Sequence, residues 1–181
     1  MLQNKRLAAI SVGEIAKASD VSPATFYRYF SDVESVALQL AWSLADDLQA
    51  AVEKAELPWD GPDGRKNVEA FVTEFLAHWA RNSPILRMRN HLADDGDDRF
   101  REVRLRTLRR LTPAILAKLR AHQKAGDIPP ELEVRAAVNI VVGMLERVGA
   151  FQNQYHGGTA TGIRTATVIV HSIVCGRAAE V

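Results

Sequence analysis

Apolar residues recur at helical spacing along the whole chain, and this periodicity limits the fold more than any other feature of the sequence. The clearest example is the segment 68–79, where valine, phenylalanine, leucine and tryptophan follow the i, i+3, i+4, i+7 pattern of an amphipathic helix. No segment shows the sustained alternation of apolar and polar residues that is typical of a half-buried strand. The sequence therefore predicts an all-α fold.

Capping signals place three helix starts within the first forty residues. Ser11-Val-Gly-Glu14 has the pattern of a capping box, in which the serine hydroxyl and the glutamate carboxylate each satisfy a backbone N–H, and it predicts a helix to about residue 18. Ser22 followed by Pro23 predicts a second helix, because proline at the first helical position loses no hydrogen bond. Ser31-Asp-Val-Glu34 predicts another capping box and a longer helix that ends near residue 54.

Glycine, proline and acidic residues predict the breaks between the later helices. Pro113 is expected to kink a long helix that ends near Ala125, because proline removes one backbone hydrogen bond and crowds the preceding turn. The other expected breaks are a linker at 57–64, a helix start at Ser83-Pro84, an acidic turn at 94–98, a stop at Gly126, a start after Pro129-Pro130 at about Glu131, and Gly157-Gly158 before a last helix from about Thr161 to Ala178.

The two predicted C-terminal helices are apolar around most of their circumference. In the segment 134–151, a narrow stripe that includes Asn139 and Glu146 interrupts the apolar surface. Such a helix is covered on more than one side, and a second copy of the chain can supply the second cover through an isologous four-helix contact. We therefore expect a homodimer. The side chains expected at its interface are Val141, Met144, Val148, Ile169 and Ile173.

Composition and charge exclude several classes of protein. A hydrophobic content of 47% with 25% charged residues is that of a globular protein, which excludes a disordered or low-complexity chain. The formal net charge of +1 means that any nucleic-acid site has to be a local patch. The single cysteine, Cys175, cannot form an internal disulfide, and no segment has 18 consecutive apolar residues. Because the start also lacks a signal-peptide pattern, we expect a cytoplasmic protein.

The first two predicted helices fit a helix-turn-helix. They are short, the turn Ser19-Asp-Val21 between them has three residues, and Ala16 is small where the helices would cross. A helix-turn-helix is a common DNA-binding motif whose second helix enters the major groove. Double-stranded DNA is therefore an expected partner.

The second of these helices carries four aromatic residues in the stretch SPATFYRYFSDVE, residues 22–34. The aromatic side chains are expected to divide between two roles, Phe26 and Phe30 facing the core and Tyr27 and Tyr29 facing outward on either side of Arg28. Tyrosine hydroxyls can donate to phosphate oxygens while the rings pack against sugars. The outward face is thus a candidate DNA contact, and an ordinary helix surface is the alternative.

The segment SVGEIAKASDVSPATFYRYFSDVESVALQL, residues 11–40, resembles the DNA-binding signature of the TetR family of bacterial repressors, including the order I-A-x-x-x-x-V-S-x-x-T-F-Y-x-Y-F. The all-helical order and apolar final pair of the rest are similar to the family's variable ligand-binding and dimerisation domain. The resemblance implies two domains, 1–40 for DNA binding and 41–181 for effector binding and dimerisation. RLAAISV at 6–12 and MLERV at 144–148 look like a mycobacterial subgroup of the family.

This resemblance implies a ligand-responsive repressor. Helix 22–30 would enter the major groove as one of a dimer-related pair, and a small apolar effector in the larger domain would change the spacing of the two helices and release the operator DNA. By position in the signature, contacts to base edges are expected from Gly13, Pro23, Ala24, Tyr27 and Arg28. Contacts to phosphates are expected from Ser11, Thr25 and Tyr29.

The chain departs from the family pattern at two places. Where members usually carry a phosphate-binding lysine, this sequence has Val33, and residues 1–40 balance four basic against four acidic side chains, which is a weak electrostatic footprint for DNA. The start, MLQNKRLAAI, matches only the tail end of the family's first helix, so we expect either that the chain is cut short or that Met1 is a misplaced start. The alternative function is a protein of this fold that binds a small molecule or a partner protein but not operator DNA.

Effector contacts are expected from the larger domain. Asn139 and Glu146 are one heptad apart on one face of a nearly apolar helix and could orient a ligand; a solvent-facing stripe is the alternative. Aromatic and methionine side chains are most simply core residues, but some can line a cavity. The side chains expected to bind the effector are Phe75, Trp79, Met88, Asn139, Glu146 and Phe151.

Other charged and titratable residues favour ordinary surface roles. The arginine-rich segment 81–110 is expected to form a solvated face paired with acidic residues of 94–102, and DNA contact is the alternative. The acidic cluster 94–98 lacks the spacing of a calcium loop, and the five histidines show neither i, i+4 pairs nor a cysteine partner, so no metal or cofactor is expected. No motif places a histidine beside Cys175 or a serine, and an enzyme is not expected.

Overall fold

Helices are the only regular secondary structure in the part of the chain that the structure describes. The structure is a computed structural model and describes residues 1–2, 5, 7–154 and 156–176, with the backbone alone for residue 153. The helices are α1 Val12–Ala18, α2 Pro23–Tyr29, α3 Val33–Ser43, α4 Gln49–Glu56, α5 Gly64–Asp94, α6 Asp98–Arg109, α7 Thr112–Ala125, α8 Val134–Phe151 and α9 Gly158–Cys175, with 3₁₀ segments at Leu7–Ala9 and Gln152–Gln154. The predicted all-α fold is confirmed.

The protein divides into two compact units that do not follow the order of the chain. The first unit contains Met1–Asp46 and Asn82–Arg106, and the second contains Asp47–Arg81 and Thr107–Val181. Helix α5 therefore contributes its N-terminal part to the second unit and its C-terminal part to the first. These compact units do not follow the predicted functional division at residue 40, because the helix after α2 shares its core with residues that lie far along the sequence; the functional division stays a prediction.

The core of the first unit forms around small side chains of α3. Its buried members come from α3 and the turn after it, from the end of α5 and from α6: Ala37, Ala41, Ala45, Met88, Ala93, Phe100 and Val103. Alanine side chains leave room for close packing by the larger residues opposite them. This packing fixes the start of α6 beside α3.

The core of the second unit is built from α4, α5, α7, α8 and α9. The rings of Trp59, Phe71 and Phe75 pack against one another in tilted orientations, with centroids 5.2 and 6.2 Å apart. Helix α7 adds the fully buried side chains of Ile115 and Leu119. Helices α8 and α9 contribute further buried residues: Val138, Val141, Val142, Leu145, Val170 and Val174.

The start and end of α3 differ from the prediction. The N-cap is Asp32 rather than Ser31, because the Asp32 carboxylate accepts the N–H of Ser35 at 2.7 Å and the Asp32 N–H reaches the Ser35 hydroxyl at 3.4 Å. The helix also ends at Ser43 rather than near residue 54, and α4 begins six residues later at Gln49. The Ser43 hydroxyl donates to the Leu40 carbonyl at 2.8 Å, and such local bonds compete with the helix.

Two prolines act differently from the prediction. Pro84, which the sequence places at a helix start, lies inside the 31-residue helix α5. The helix continues because Trp79 and Leu86 on either side of it are buried, and tertiary packing outweighs the loss of one backbone hydrogen bond. Pro113 does not kink a long helix; the chain breaks between α6 and α7, and Pro113 lies in the first turn of α7, where a missing N–H costs little.

The last two helices begin earlier or later than expected. Helix α8 begins at Val134 rather than Glu131, because the Glu133 carboxylate accepts the N–H groups of Arg135 and Ala136 at 3.1 and 2.6 Å. Helix α9 begins at Gly158 rather than Thr161 and extends to Cys175. The predicted end at Ala178 lies outside the described residues. The predicted stop at Gly126 is confirmed by its left-handed backbone, with φ of 82°.

Candidate nucleic-acid interface

Helices α1 and α2 form the predicted helix-turn-helix. The capping box at the start of α1 is present: Glu14 N–H donates to the Ser11 hydroxyl at 3.2 Å, and Ser11 N–H donates to the Glu14 carboxylate at 2.9 Å. The turn is closed by a bond from Val21 N–H to the Ala16 carbonyl at 2.9 Å. Ala16 is 1% exposed, so no larger side chain fits where the two helices meet.

Helix α2 divides its aromatic side chains between core and solvent. Phe26 is 4% exposed, whereas Tyr27 and Tyr29 are 59% and 72% exposed. Phe30 is half-buried, and its ring centroid lies 5.6 Å from that of Phe26. Tyrosine combines an apolar ring with a polar hydroxyl and is therefore enriched at interfaces. The outer face of α2 therefore offers two tyrosines and Arg28 for contact.

The residues expected to contact DNA lie on this motif and most of them are exposed. The exposed members are Ser11, Gly13, Pro23, Ala24, Tyr27, Arg28 and Tyr29. Thr25 is half-buried, and its hydroxyl lies 3.0 Å from that of Ser22, the N-cap of α2. The structure thus brings the two groups of predicted contacts onto two adjoining helices.

The charges near α1 are partly neutralised within the chain. Lys5 forms an ion pair with Glu14. This ion pair, with the hydrogen bonds from Ser11, lowers the pKa of Glu14 to about 2. A lysine held by a carboxylate contributes less to DNA attraction than a free one. Lys17 and Arg28 are the exposed basic side chains of α1 and α2.

A further basic group, which the sequence assigned to a solvated face with DNA contact as the alternative, lies beside the start of α3. Arg99, in the first turn of α6, donates to Glu34 at 3.0 Å and to Asp97 at 2.7 Å through Nη2. The hydrogen bond from Arg99 is the main cause that lowers the pKa of Asp97, whereas the pKa of Asp32 is lowered mainly by the hydrogen bonds from Ser35 and Ser31 and least by the charge of Arg99. Sequence patterns gave no signal for this cluster, because 65 residues separate Arg99 from Glu34.

Ion pairs along the arginine-rich segment match the predicted solvated face in part, but Arg89 is 2% exposed and does not belong to that face. Arg101 pairs with Asp98, and Arg104 lies 3.0 Å from Asp94. Within the described residues, no group of His, Cys, Asp or Glu side chains is arranged to hold a metal ion.

The residues expected to bind an effector do not share one environment. Phe75 and Trp79 are buried in the second unit, and Glu146 is buried there as well. Asn139, by contrast, is exposed, so the expected pair on α8 does not face one common surface. Met88 belongs to the first unit, where it packs against α3 and α6. Phe151 is half-buried, and the guanidinium carbon of Arg147 lies 3.9 Å from the centre of its ring.

A surface groove of about 400 Å³ lies in the second unit between the end of α4 and α7. Trp59 and three alanines of α7 line it together with Lys118, whose Nζ donates to the Leu57 carbonyl at 2.7 Å and lies 5.3 Å from the centre of the Trp59 ring. Desolvation lowers the pKa of Lys118. None of the expected effector residues lines this groove.

The residues expected at a dimer interface also differ in exposure. Ile169 is 38% exposed, and Met144, Val148 and Ile173 are half-buried. Val141 is fully buried within its own chain, so it has no surface to offer to a second copy, and its assignment to the interface is wrong. The neighbouring Ile140 is 64% exposed and faces outward instead. The register of α8 in the core, which the sequence pattern did not fix, places Val141 inward and Ile140 outward.

Among the described helices, none is both long and apolar enough to span a membrane.

Comparisons with known proteins agree with this architecture. A family model for the N-terminal part of bacterial regulatory proteins of the tetR family matches residues 3–40, and a model for the tetracyclin repressor-like C-terminal domain matches residues 48–179. A curated relative, the HTH-type transcriptional regulator EthR of Mycolicibacterium smegmatis, is 26% identical over 147 residues, which span 78% of this chain and 65% of the relative. The chain thus matches less than two thirds of that protein.

A solved structure shows the same fold. The TetR family transcriptional regulator PfmR from Thermus thermophilus superposes with a TM-score of 0.58 at 21% identity, covering 93% of this chain and 89% of that one. The two family models together cover most of the sequence. The N-terminal model spans the helix-turn-helix, and the C-terminal model spans the later helices. The chain belongs to the TetR family of bacterial transcriptional regulators.

Proposed function

We propose that this chain is a transcriptional repressor that binds operator DNA as a homodimer in the cytoplasm and is released by a small apolar effector. The observation that carries the proposal is the division of α2, in which Phe26 anchors the helix while Tyr27, Arg28 and Tyr29 are exposed. An arginine flanked by two tyrosines combines a guanidinium that can read base edges with two hydroxyls that can donate to base edges or phosphates. Pro23 and Ala24 at the start of α2 are small enough to let the helix approach base edges closely.

The dimer is supported by apolar surface on α8 and α9. Ile140 is 64% exposed and Ile169 is 38% exposed, and both lie in helices that otherwise bury apolar side chains in the second unit. Exposed apolar surface on neighbouring helices is typical of an interface with another protein. A second copy is the occupant we propose, because operator half-sites one helical turn apart, about 34–36 Å, require two-fold related helix-turn-helix units.

The effector site is proposed within the second unit. Phe75 and Trp79 are buried apolar side chains of this unit, and Glu146 is a buried polar group in it. Pockets for small ligands usually combine mostly apolar walls with few polar groups. Asn139 lies on the outer surface of α8, where it could contact a ligand that enters from solvent.

DNA binding with and without ligand tests this proposal. Fluorescence anisotropy would be measured on the intergenic DNA that flanks the encoding gene and on random duplex of equal length, and apolar ligands would be found by thermal shift. We expect tight binding to one flanking segment. We also expect a ligand that weakens DNA binding, and DNA should weaken binding of that ligand by the same factor, which corresponds to a coupling free energy of about 1–3 kcal/mol. A tightly bound ligand that leaves operator affinity unchanged would contradict effector release.

One observation favours a second function. Residues 1–40 balance four basic and four acidic side chains, and Lys5 is already paired with Glu14. This balance is compatible with a protein that retains the fold and binds a small molecule or a partner protein without operator DNA. The same titration separates the two functions, because this second protein would bind ligand but show equal, weak affinity for flanking and random DNA.

A further inference from the structure

We propose that Arg99 is a phosphate anchor, whose guanidinium exchanges the carboxylate of Glu34 for a phosphate of the DNA backbone when the helix-turn-helix binds. This inference rests on the proposed function, because it requires that the chain binds duplex DNA. It adds to the interface a side chain from α6, far outside residues 11–40.

Arg99 of α6 lies beside the N-terminal end of α3, the end that follows α2 in the chain. Its Nη2 is 3.0 Å from Oε2 of Glu34, the second residue of α3. Glu34 is five residues beyond Tyr29, so the distance between these two residues is at most roughly 18 Å even in a fully extended chain. Each strand of B-DNA carries one phosphate per about 3.4 Å of helix axis, so roughly five phosphates of a strand span that distance. With α2 in the groove, the start of α3 therefore lies within a few phosphates of the α2 contact, which is the proximity that a phosphate contact from Arg99 requires.

The guanidinium of Arg99 is held in a fixed orientation and keeps one amino group available. Nε and Nη2 lie 3.1 and 2.7 Å from the two carboxylate oxygens of Asp97. Nη1 has no hydrogen-bond partner among the described residues, and the side chain is 50% exposed. A planar guanidinium that is already oriented loses less rotamer freedom when it binds an oxyanion.

The carboxylate of Glu34 occupies the position that a phosphate would take. Carboxylate and phosphate are both oxyanions that bind arginine through paired N–H donors. Arg99 pairs with Glu34 and Asp97, and its charge also acts on the nearby Asp32 carboxylate, so its loss would leave these three acids at the start of α3 without their cation. Arg99 thus has two effects on DNA, because it offsets part of this negative charge and can itself donate to the phosphate.

The test compares Arg99→Gln with Arg101→Gln. Arg101 is in the same turn of α6, pairs with Asp98 and is 57% exposed, so its replacement removes the same charge at a different place. Affinity would be measured by anisotropy at several salt concentrations, on a duplex selected by the wild-type protein from a random pool and on random duplex. We expect Arg99→Gln to weaken both by roughly tenfold and to reduce the slope of log affinity against log salt by about one per bound helix-turn-helix. Arg101→Gln should have little effect on either quantity.

Glu34→Gln distinguishes a phosphate anchor from a structural ion pair. If Arg99 binds phosphate, Glu34→Gln removes the competing carboxylate and should strengthen DNA binding, whereas Arg99→Gln should weaken DNA binding. In the double variant, the gain in affinity from Glu34→Gln should shrink. If the pair only clamps α6 to α3, both changes should weaken DNA binding and lower the melting temperature together, and the proposal is overturned. Equal effects of Arg99→Gln and Arg101→Gln would also overturn it while leaving the repressor function intact. Absence of any selected DNA sequence for the wild type would instead refute the proposed function, and the anchor with it.

Discussion

Gly149 of α8 lies directly against the indole of Trp79 in α5. A Cβ atom added at Gly149 would be 2.4 Å from Cγ of Trp79 and 2.8 Å from its Cβ, distances at which atoms overlap. The glycine here is needed for close approach of two helices rather than for a special backbone angle. This contact ties α5 to α8 at the centre of the second unit.

Gly149→Ala is expected to destabilise the protein by about 1–3 kcal/mol, the usual cost of overpacking a core. The measurement is the free energy of unfolding in urea. The same change in a Trp79→Ala background should cost far less, because the overlapping ring is gone. Equal costs in the two backgrounds would show that the contact is not the cause.

Ile140→Asp and Val141→Asp should affect different properties, namely dimer formation and protomer stability. Ile140 is 64% exposed on α8 while Val141 is fully buried, so an aspartate at 140 should weaken the dimer with little loss of protomer stability. An aspartate at 141 buries an unpaired charge and should cost about 4 kcal/mol or more of folding free energy. Sedimentation equilibrium and thermal melting measure the two effects. A dimer that survives Ile140→Asp would remove this face of α8 from the interface.

Tyr29→Phe should weaken binding to all DNA sequences by about 0.5–1.5 kcal/mol, the net value of one hydrogen bond. Tyr29 is 72% exposed, so the change is not expected to alter the fold. The measurement is affinity for the selected duplex and for random duplex at one salt concentration. A loss confined to the selected duplex would assign Tyr29 to base recognition.

Arg28→Ala should cost about 1–3 kcal/mol on the preferred site and little on random DNA, because a guanidinium reads the edge of a guanine through two hydrogen bonds. Arg28 is exposed between Tyr27 and Tyr29, on the helix that we expect to enter the groove. Competition assays against duplexes with single base changes measure the effect. Equal losses on both kinds of DNA would make Arg28 a phosphate contact.

The stabilising effect of the Glu14 carboxylate should be lost in acid. Its pKa is lowered from 4.5 to about 2 in the folded protein, so the stabilisation is fully present above pH 4.5 and declines as the pH falls towards 2. The melting temperatures of the wild type and Glu14→Gln should therefore differ most near neutral pH and converge as the pH falls through this window. A difference that stays constant over this range would exclude the charge of Glu14 as its source.

Much of the helix-turn-helix could be predicted from the sequence, since its signals are local. The serine caps at Ser11 and Ser22, the proline at the start of α2 and the spacing of Phe26 from the two tyrosines each act within one or two helical turns. Side-chain direction in a helix follows from its period, so the sequence alone distinguishes the exposed from the buried aromatic residues. The same is true of the stop at Gly126, where a left-handed residue ends a helix.

Tertiary structure decided what depends on residues far apart in the chain. Pro84 lies inside a helix because buried neighbours hold both halves of α5, and Val141 rather than Ile140 faces the core because α8 takes one rotation among several that its apolar circumference allows. Arg99 pairs with Glu34 although 65 residues separate them in the sequence, and no local pattern predicts such a contact. The sequence by itself determined the helices and the faces of the short ones, because backbone hydrogen bonds and caps are local. The register of long apolar helices and the pairing of distant charges were decided only by packing, since many arrangements satisfy the same periodic pattern.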